Sequence, residues 1–339
     1  MGVALAKAER ERRAATRARM ARRTSLLVGE PPAVGLRRVL LGQLEVAIEL
    51  LETLPPEDRS EHGQRTVHET RKALKRLRAL LRLLRPTIGE KRFKRENAAL
   101  RRCARRLAGA RDAEVMIDTL EGLLRAHPKL ADPRRTGGGV QRLRAQLLAE
   151  LDAAAGTDQP GRTPLEEHRA IAAELRAIRT RVADWQLRER PGKAPAPSAP
   201  GLEHIYREGR RRLRRARRRG DRDALHAWRK RVKDLRYAAE TFDRGPAART
   251  SKSGARIRRT ARRADRLGEM LGEEHDLALL ARLIRRHAEH FAGDKRTRKA
   301  LLKLIARRRK QLRRRALRDG ERLYRRKPKG FMRRLRAAL

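Results

Sequence analysis

One segment occurs twice in this chain, and that repeat constrains the fold more than any other feature of the sequence. His68 to Arg78 reads H-E-T-R-K-A-L-K-R-L-R, and His226 to Arg236 reads H-A-W-R-K-R-V-K-D-L-R. The histidine, an arginine, two lysines, a leucine and a final arginine recur at identical offsets. The copies start 158 residues apart in a chain of 339. A solenoid unit runs to about 20–50 residues, so this spacing marks a duplicated half rather than a stacked array.

Helical geometry gives the repeat a physical meaning. At about 100° per residue, His68, Arg71, Lys72, Lys75, Arg78 and Arg82 share an arc of roughly 120°. Val67, Leu74, Leu77, Leu81 and Leu84 take the other side, and Pro86 is expected to end the helix. In the second copy His226, Arg229, Lys230, Lys233, Arg236 and Tyr237 share one arc, and Leu225, Trp228, Val232, Leu235 and Phe242 the opposite one. Each copy reads as an amphipathic helix with one core face and one face of concentrated positive charge.

Basic residues on an outer helix face are usually just a solvated surface. Such surfaces mix signs, however, because acid–base pairs at i,i+4 help and like-charge pairs cost about 0.2–0.5 kcal/mol. The first copy carries almost no acid on its basic arc, and the second has only Glu240 at its edge. The whole chain leans the same way, with 90 Lys and Arg against 41 Asp and Glu, a formal charge of +49. That excess implies a polyanionic partner: nucleic acid, polyphosphate or an anionic surface. Of the cations 74 are arginine, whose planar fork suits phosphate.

Leucine and alanine recur at helical spacing through most of the chain and β-branched clusters are missing, so the chain reads as folded and all-α. The single cysteine, Cys103, excludes a disulfide framework and reads as a small buried residue on a helix. No run of about twenty apolar residues crosses a membrane, and the N-terminus has no secretory pattern. Residues 1–29 form a basic N-terminal extension, 30–188 a first half, 189–200 a linker carrying P-G-K-A-P-A-P-S-A-P, and 201–339 a second half. Helices are expected over 35–54, 59–85, 91–126 with a break near Gly109, 140–155, 164–188, 202–219, 223–242, 255–272, 276–291 and 295–317. A second echo follows each repeat helix: L-A-G-A-R-D ends at Asp112 and L-G-E-E-H-D at Asp276. Each Asp is expected to cap a new helix start rather than to take part in catalysis.

These residues resemble the CHAD family, the conserved histidine α-helical domain. The resemblance rests on V-H-E-T-R-K-A-L-K-R-L-R-A-L-L-R-L-L-R-P from Val67, on L-H-A-W-R-K-R-V-K-D-L-R-Y-A from Leu225, on G-A-R-D-A-E-V from Gly109 and on L-G-E-E-H-D-L. It spans nearly all of residues 30–339. It implies two helical bundles related by a pseudo-twofold duplication, with basic residues of both halves lining a central cavity. It also implies binding of inorganic polyphosphate and association with polyphosphate or storage granules. The E-x-E-x-K signature of the triphosphate-tunnel enzymes that accompany some members is missing, so the resemblance is to a stand-alone binding domain. The binding role carries over to His68, Arg71, Lys72, Lys75, Arg78 and Arg82, and to His226, Arg229, Lys230, Lys233, Arg236 and Tyr237. Arg101, Arg105, Arg258 and Arg262 form a second tier on the helices that follow. Glu240 stands where the first copy has Arg82, a departure at that end of the second arc.

Neither repeat histidine sits in an H-x-x-x-H or H-E-x-x-H pattern, so no metal and no cofactor is expected; an imidazole that bonds phosphate oxygen fits better. His127, His287 and His290 read as incidental. No P-loop, nucleophile elbow or Mg²⁺-binding carboxylate cluster points to an enzyme. Two alternatives remain. One is a non-specific nucleic-acid-binding protein, against which stand the missing helix-turn-helix and the scarcity of aromatics. The other is a structural protein at a granule surface. A cytoplasmic, granule-associated location is expected.

Overall fold

Ten α-helices and two short 3₁₀ turns account for the regular structure of the described residues, none of which lies in a strand. The structure is a computed structural model that describes residues 23–27, 30–53, 61–107, 109–130, 132, 136–156, 164–187, 198–243 and 252–335. The helices are α1 (Pro32–Glu52), α2 (Glu61–Arg106), α3 (Gly109–Ala126), α4 (Gly139–Gly156), α5 (Pro164–Ala183), α6 (Ser198–Arg219), α7 (Arg222–Asp243), α8 (Lys252–Arg286), α9 (Lys295–Leu323) and α10 (Pro328–Arg333). None of them is long and apolar enough to cross a membrane.

Local chemistry sets several helix ends. α1 begins on a proline, whose fixed φ suits the first turn and whose missing N–H is no loss there. Asp221 accepts a hydrogen bond from the Ala224 N–H at 2.7 Å and so starts α7, and Asp294 accepts one from Thr297 to start α9. Between α6 and α7 the chain turns through Gly220, at φ 62°.

The first repeat helix does not stop at Pro86. Helical residues continue beyond it, and the break falls at Gly89, which adopts φ 79° and ψ 166°, a conformation open to glycine. There α2 folds back on itself as a helical hairpin. Arg78 bonds Asn97 across it, and Arg71 donates to the Leu107 carbonyl at its open end. The second repeat helix makes the same move with α8, where Arg236 meets Asp265 and His226 meets His275.

Two other expectations need correction. α8 runs unbroken from Lys252 to Arg286, so Asp276 lies inside a helix and caps nothing. Gly272, the expected end of the first of two helices, is instead where α7 approaches closely: a Cβ there would lie 3.1 Å from the Arg229 guanidinium. Asp112 sits in the first turn of α3, past its start, and its side chain falls outside the described residues. The expected linker is shorter than 189–200, because α6 already begins at Ser198; residues 188–197 lie outside the described residues. So does most of the N-terminal extension. Its described end lies on α1, with Arg23 paired to Glu45 and Glu49.

Two hydrophobic cores hold the helices. The larger joins α1, α2, α5, α6, α7, the first part of α8 and α10, and buries Leu74, Leu77, Leu81 and Leu84 with Leu225, Trp228, Val232, Leu235 and Phe242. The smaller joins α3 and α4 to the end of α8 and the front of α9 through Leu120, Leu143, Leu280, Ile284, Leu301 and Ile305. Each fully buried large apolar side chain contributes about 1.5–3 kcal/mol. Both cores draw on sequence before and after residue 198, so neither half is packed on its own. Gly201 marks how tightly they meet: a Cβ there would overlap the Leu83 carbonyl.

Candidate anion-binding site

α2 and α7 pack against one another, and some of the cations of the two motifs meet at their seam. Arg82 leaves the surface altogether. It is 8% exposed, pairs with Asp234 of α7 at 3.2 Å and donates to the Arg78 carbonyl at 2.9 Å. Burial pulls its pKa down to about 10, with Asp234 opposing the fall. Arg231 takes the other Asp234 oxygen at 3.1 Å. Arg76 and Glu240, at the reciprocal offsets of the two copies, line one small pocket with Gln43, Tyr237 and Thr241. The two repeat helices therefore cross antiparallel, and the second copy carries an acid at each offset that faces an arginine of the first.

Beside this seam other cations crowd together. Arg78 is half-buried, and burial lowers its pKa; Asp234 resists the fall, while Arg101 and Arg231 add to it. Lys230 is lowered by burial, then by Arg231, Arg78, Arg101 and Arg212. Residues from α2, α6 and α7 thus share one electrostatic neighbourhood, in which the surrounding arginines make Arg78 and Lys230 harder to protonate.

A second group adjoins Lys230 at the start of α7. His226 stacks on His275 of α8 with ring centroids 4.4 Å apart. Burial lowers the pKa of both imidazoles. Lys230, Arg229 and Arg222 lower His226 further, and His226, Arg229, Arg222 and Lys230 bring His275 to about 4. His226 Nδ1 and Arg229 Nε are buried without a hydrogen-bond partner. Further along α7, burial and the charges of Arg229 and Arg236 bring Lys233 down to about 8, against the pull of Asp276 and Asp265. Arg236 is tied to Glu240 at 2.7 Å and to Asp265. Tyr237 is buried, with the Arg236 guanidinium 5.4 Å from its ring centre.

The remaining residues named from sequence are more dispersed. His68, Arg71, Lys72 and Lys75 lie on the early turns of α2, where Arg71 holds the Leu107 carbonyl, Lys72 pairs with Glu69 at 2.8 Å and Lys75 is exposed. Arg101 and Arg105 sit exposed on the returning arm of α2. Arg258 and Arg262 precede Asp265 on α8, which the antiparallel pairing places beside the end of α7, beyond Arg236. Arg212, Arg222, Arg231 and His275 join the cluster although the sequence reading passed over them. Only His275 carried a signal there, through its place in L-G-E-E-H-D. Asp234 was in plain view in the second motif, but a helical wheel does not reveal a partner 152 residues away.

Other chemistry-bearing groups lie apart. Cys103 is buried, and burial raises its thiol to about 12, far from a reactive thiolate. His287, Glu289 and His290 bring three donor atoms within 4.8 Å of one another, while Gln146 and Glu289 bond the imidazoles.

Fold and site define an all-α protein that gathers cations from helices on both sides of residue 198. A model of the CHAD domain family matches residues 43–285, and the chain belongs to that family. The crystal structure of the CHAD domain from the plant Ricinus communis is similar in fold, with a TM-score of 0.58 and 20% identity over 90% of this chain and 95% of that one. No curated protein matches the chain.

Proposed function

We propose that this chain is a binding module for inorganic polyphosphate, and that the polymer lies against the cations gathered where α2, α6 and α7 meet. The observation that carries the proposal is the convergence of Arg78 and Arg101 of α2, Arg212 of α6 and Lys230 and Arg231 of α7, close enough that arginines of both halves lower the pKa of Arg78 and Lys230 beyond what burial does. A phosphate chain, with about one charge per unit and no base edges, reverses that repulsion without specific readout. Membership of a family associated with polyphosphate binding supports the reading. From this cluster the bound chain runs past Lys230 toward Arg229, Arg222, His226 and His275, with Lys233 alongside. His68, Arg71, Lys72 and Lys75, with Arg101 and Arg105, form the first half's approach. Arg82, Arg236 and Tyr237 hold the helices that present these groups. The named side chains are cations and imidazole donors, which suit holding a polyanion rather than transforming it, and a granule rich in polyphosphate is the expected location.

The test is a titration of labelled long-chain polyphosphate at near-physiological salt, comparing the protein with an Arg78→Gln/Arg101→Gln/Lys230→Gln variant. Charged hydrogen bonds contribute about 1.5–3 kcal/mol each, so the variant should bind at least about a hundredfold more weakly. Equal binding by both would overturn the proposal.

A further inference from the structure

α9 carries a second concentration of charge, on the opposite terms. From Lys295 to Arg318 the sequence has thirteen Lys and Arg and no acid. The structure sorts these cations by face. On the flank toward α8, Arg308 pairs with Glu273, and Arg309 and Arg313 both reach the buried Glu274. On the outer face Lys299, Lys303, Arg307, Lys310, Arg314 and Arg318 are all exposed, and none has an acid partner among the described residues. Successive members are three or four residues apart, so they fall within an arc of about 100° and run for about 29 Å along the helix.

We propose that this outer face of α9 is a docking surface for the phosphate backbone of double-stranded nucleic acid, separate from the cations between the repeat helices. Like charges one turn apart weaken a helix, and an unmixed stripe of them is relieved by an anion that spans its length. The stripe lies along one exposed face of a single helix, whereas the repeat-helix cations, the half-buried Arg78 among them, converge from several helices. A single phosphate thread on such a face is met from one side only. A duplex groove is different: the major groove is about 12 Å wide with phosphates on both rims, and a helix about 10–12 Å across fits against it. The stripe offers arginine and lysine, with Gln311 its only exposed amide neighbour, so contact is with phosphate and is independent of sequence.

The experiment is fluorescence anisotropy of a labelled 20-base-pair DNA duplex over a range of salt concentrations. It compares the protein, a Lys303→Gln/Arg307→Gln/Lys310→Gln/Arg314→Gln variant, and the Arg78→Gln/Arg101→Gln/Lys230→Gln variant. Losing four phosphate contacts should make the slope of log affinity against log salt shallower by about 3–4. Duplex affinity at low salt should drop at least tenfold, while the variant's polyphosphate affinity stays within about twofold of the parent. The repeat-helix variant should bind duplex like the parent. Unchanged duplex binding by the α9 variant overturns the proposal. So does an equal loss of polyphosphate binding, which would make α9 part of the polyphosphate surface. Neither result bears on the Arg78 cluster, whose own variant tests it.

Discussion

The two repeat helices share a motif and carry it into different surroundings. In α2 the early cations Lys72 and Lys75 remain at or near the surface, and the late one, Arg82, is buried against Asp234. In α7 the early groups His226 and Lys230 sit in a crowd of cations, while Lys233 and Arg236 are set among Asp265, Asp276 and Glu240. The acids cluster on and around the second copy. Two helices with the same motif packed antiparallel would bring arginine against arginine, and the second motif instead has Asp234 and Glu240 at the facing offsets. Arg82 and Asp234 fasten the two helices, and Arg78 and Lys230 lie beside that seam. Recurrence of a motif thus identifies a face, and burial decides which of its residues hold the fold.

Four perturbations sharpen or break that comparison. The largest effect should come from Arg82→Met, which leaves Asp234 buried with Arg231 alone; chemical denaturation should show a loss of about 3 kcal/mol. Lys75→Ala, the exposed member of the same arc, should stay within about 0.5 kcal/mol of the parent. If the two cost the same, the division between fastener and ligand residue fails.

Next, Lys230→Ala should weaken polyphosphate binding about tenfold, the value of one charged hydrogen bond, and Lys72→Ala, whose ammonium already has Glu69, no more than about twofold. Competition titrations of the two single variants read this directly.

The third effect is on pH. Lys233 titrates at about 8 in the folded protein and at 10.5 without its surroundings. Between those values the unfolded chain binds more protons, so the ligand-free protein should gain stability as pH rises from 8 toward 10.5. Polyphosphate affinity should fall over the same range, and Lys233→Met should flatten both profiles.

The smallest effect concerns the imidazole pair. Both His226 and His275 are held below 6.5, His275 at about 4, so stability should decline as pH falls from 6.5 toward 4. Bound polyphosphate favours the imidazolium forms and should offset that decline, while His275→Gln should remove most of the ligand's extra benefit in acid. Thermal melts at pH 7 and pH 5, with and without polyphosphate, measure it.

Much of this arrangement was legible in the sequence because helical periodicity is local. Leu74, Leu77, Leu81 and Leu84 of the first copy, and Leu225, Trp228, Val232, Leu235 and Phe242 of the second, are buried as their spacing requires. What escaped depends on partners distant in the chain. Arg82 shares an arc with Lys75, and only the position of Asp234 separates their roles. Gly272 looks like a helix breaker until α7 is seen packed against it, and Pro86 looks like a stop, though the chain turns three residues later at Gly89. His275 and Arg222 enter the site through the hairpin of α7 with α8, a pairing that no repeat of spacing announces.

The central claim is that cations of the two halves act on one ligand. A double-mutant cycle on polyphosphate affinity with Arg78→Gln and Lys230→Gln tests it most directly. Residues that share a ligand and a neighbourhood should couple by about 0.5–3 kcal/mol, so the double variant should depart from the sum of the singles. Additive losses, or no loss from either substitution, would contradict a shared site.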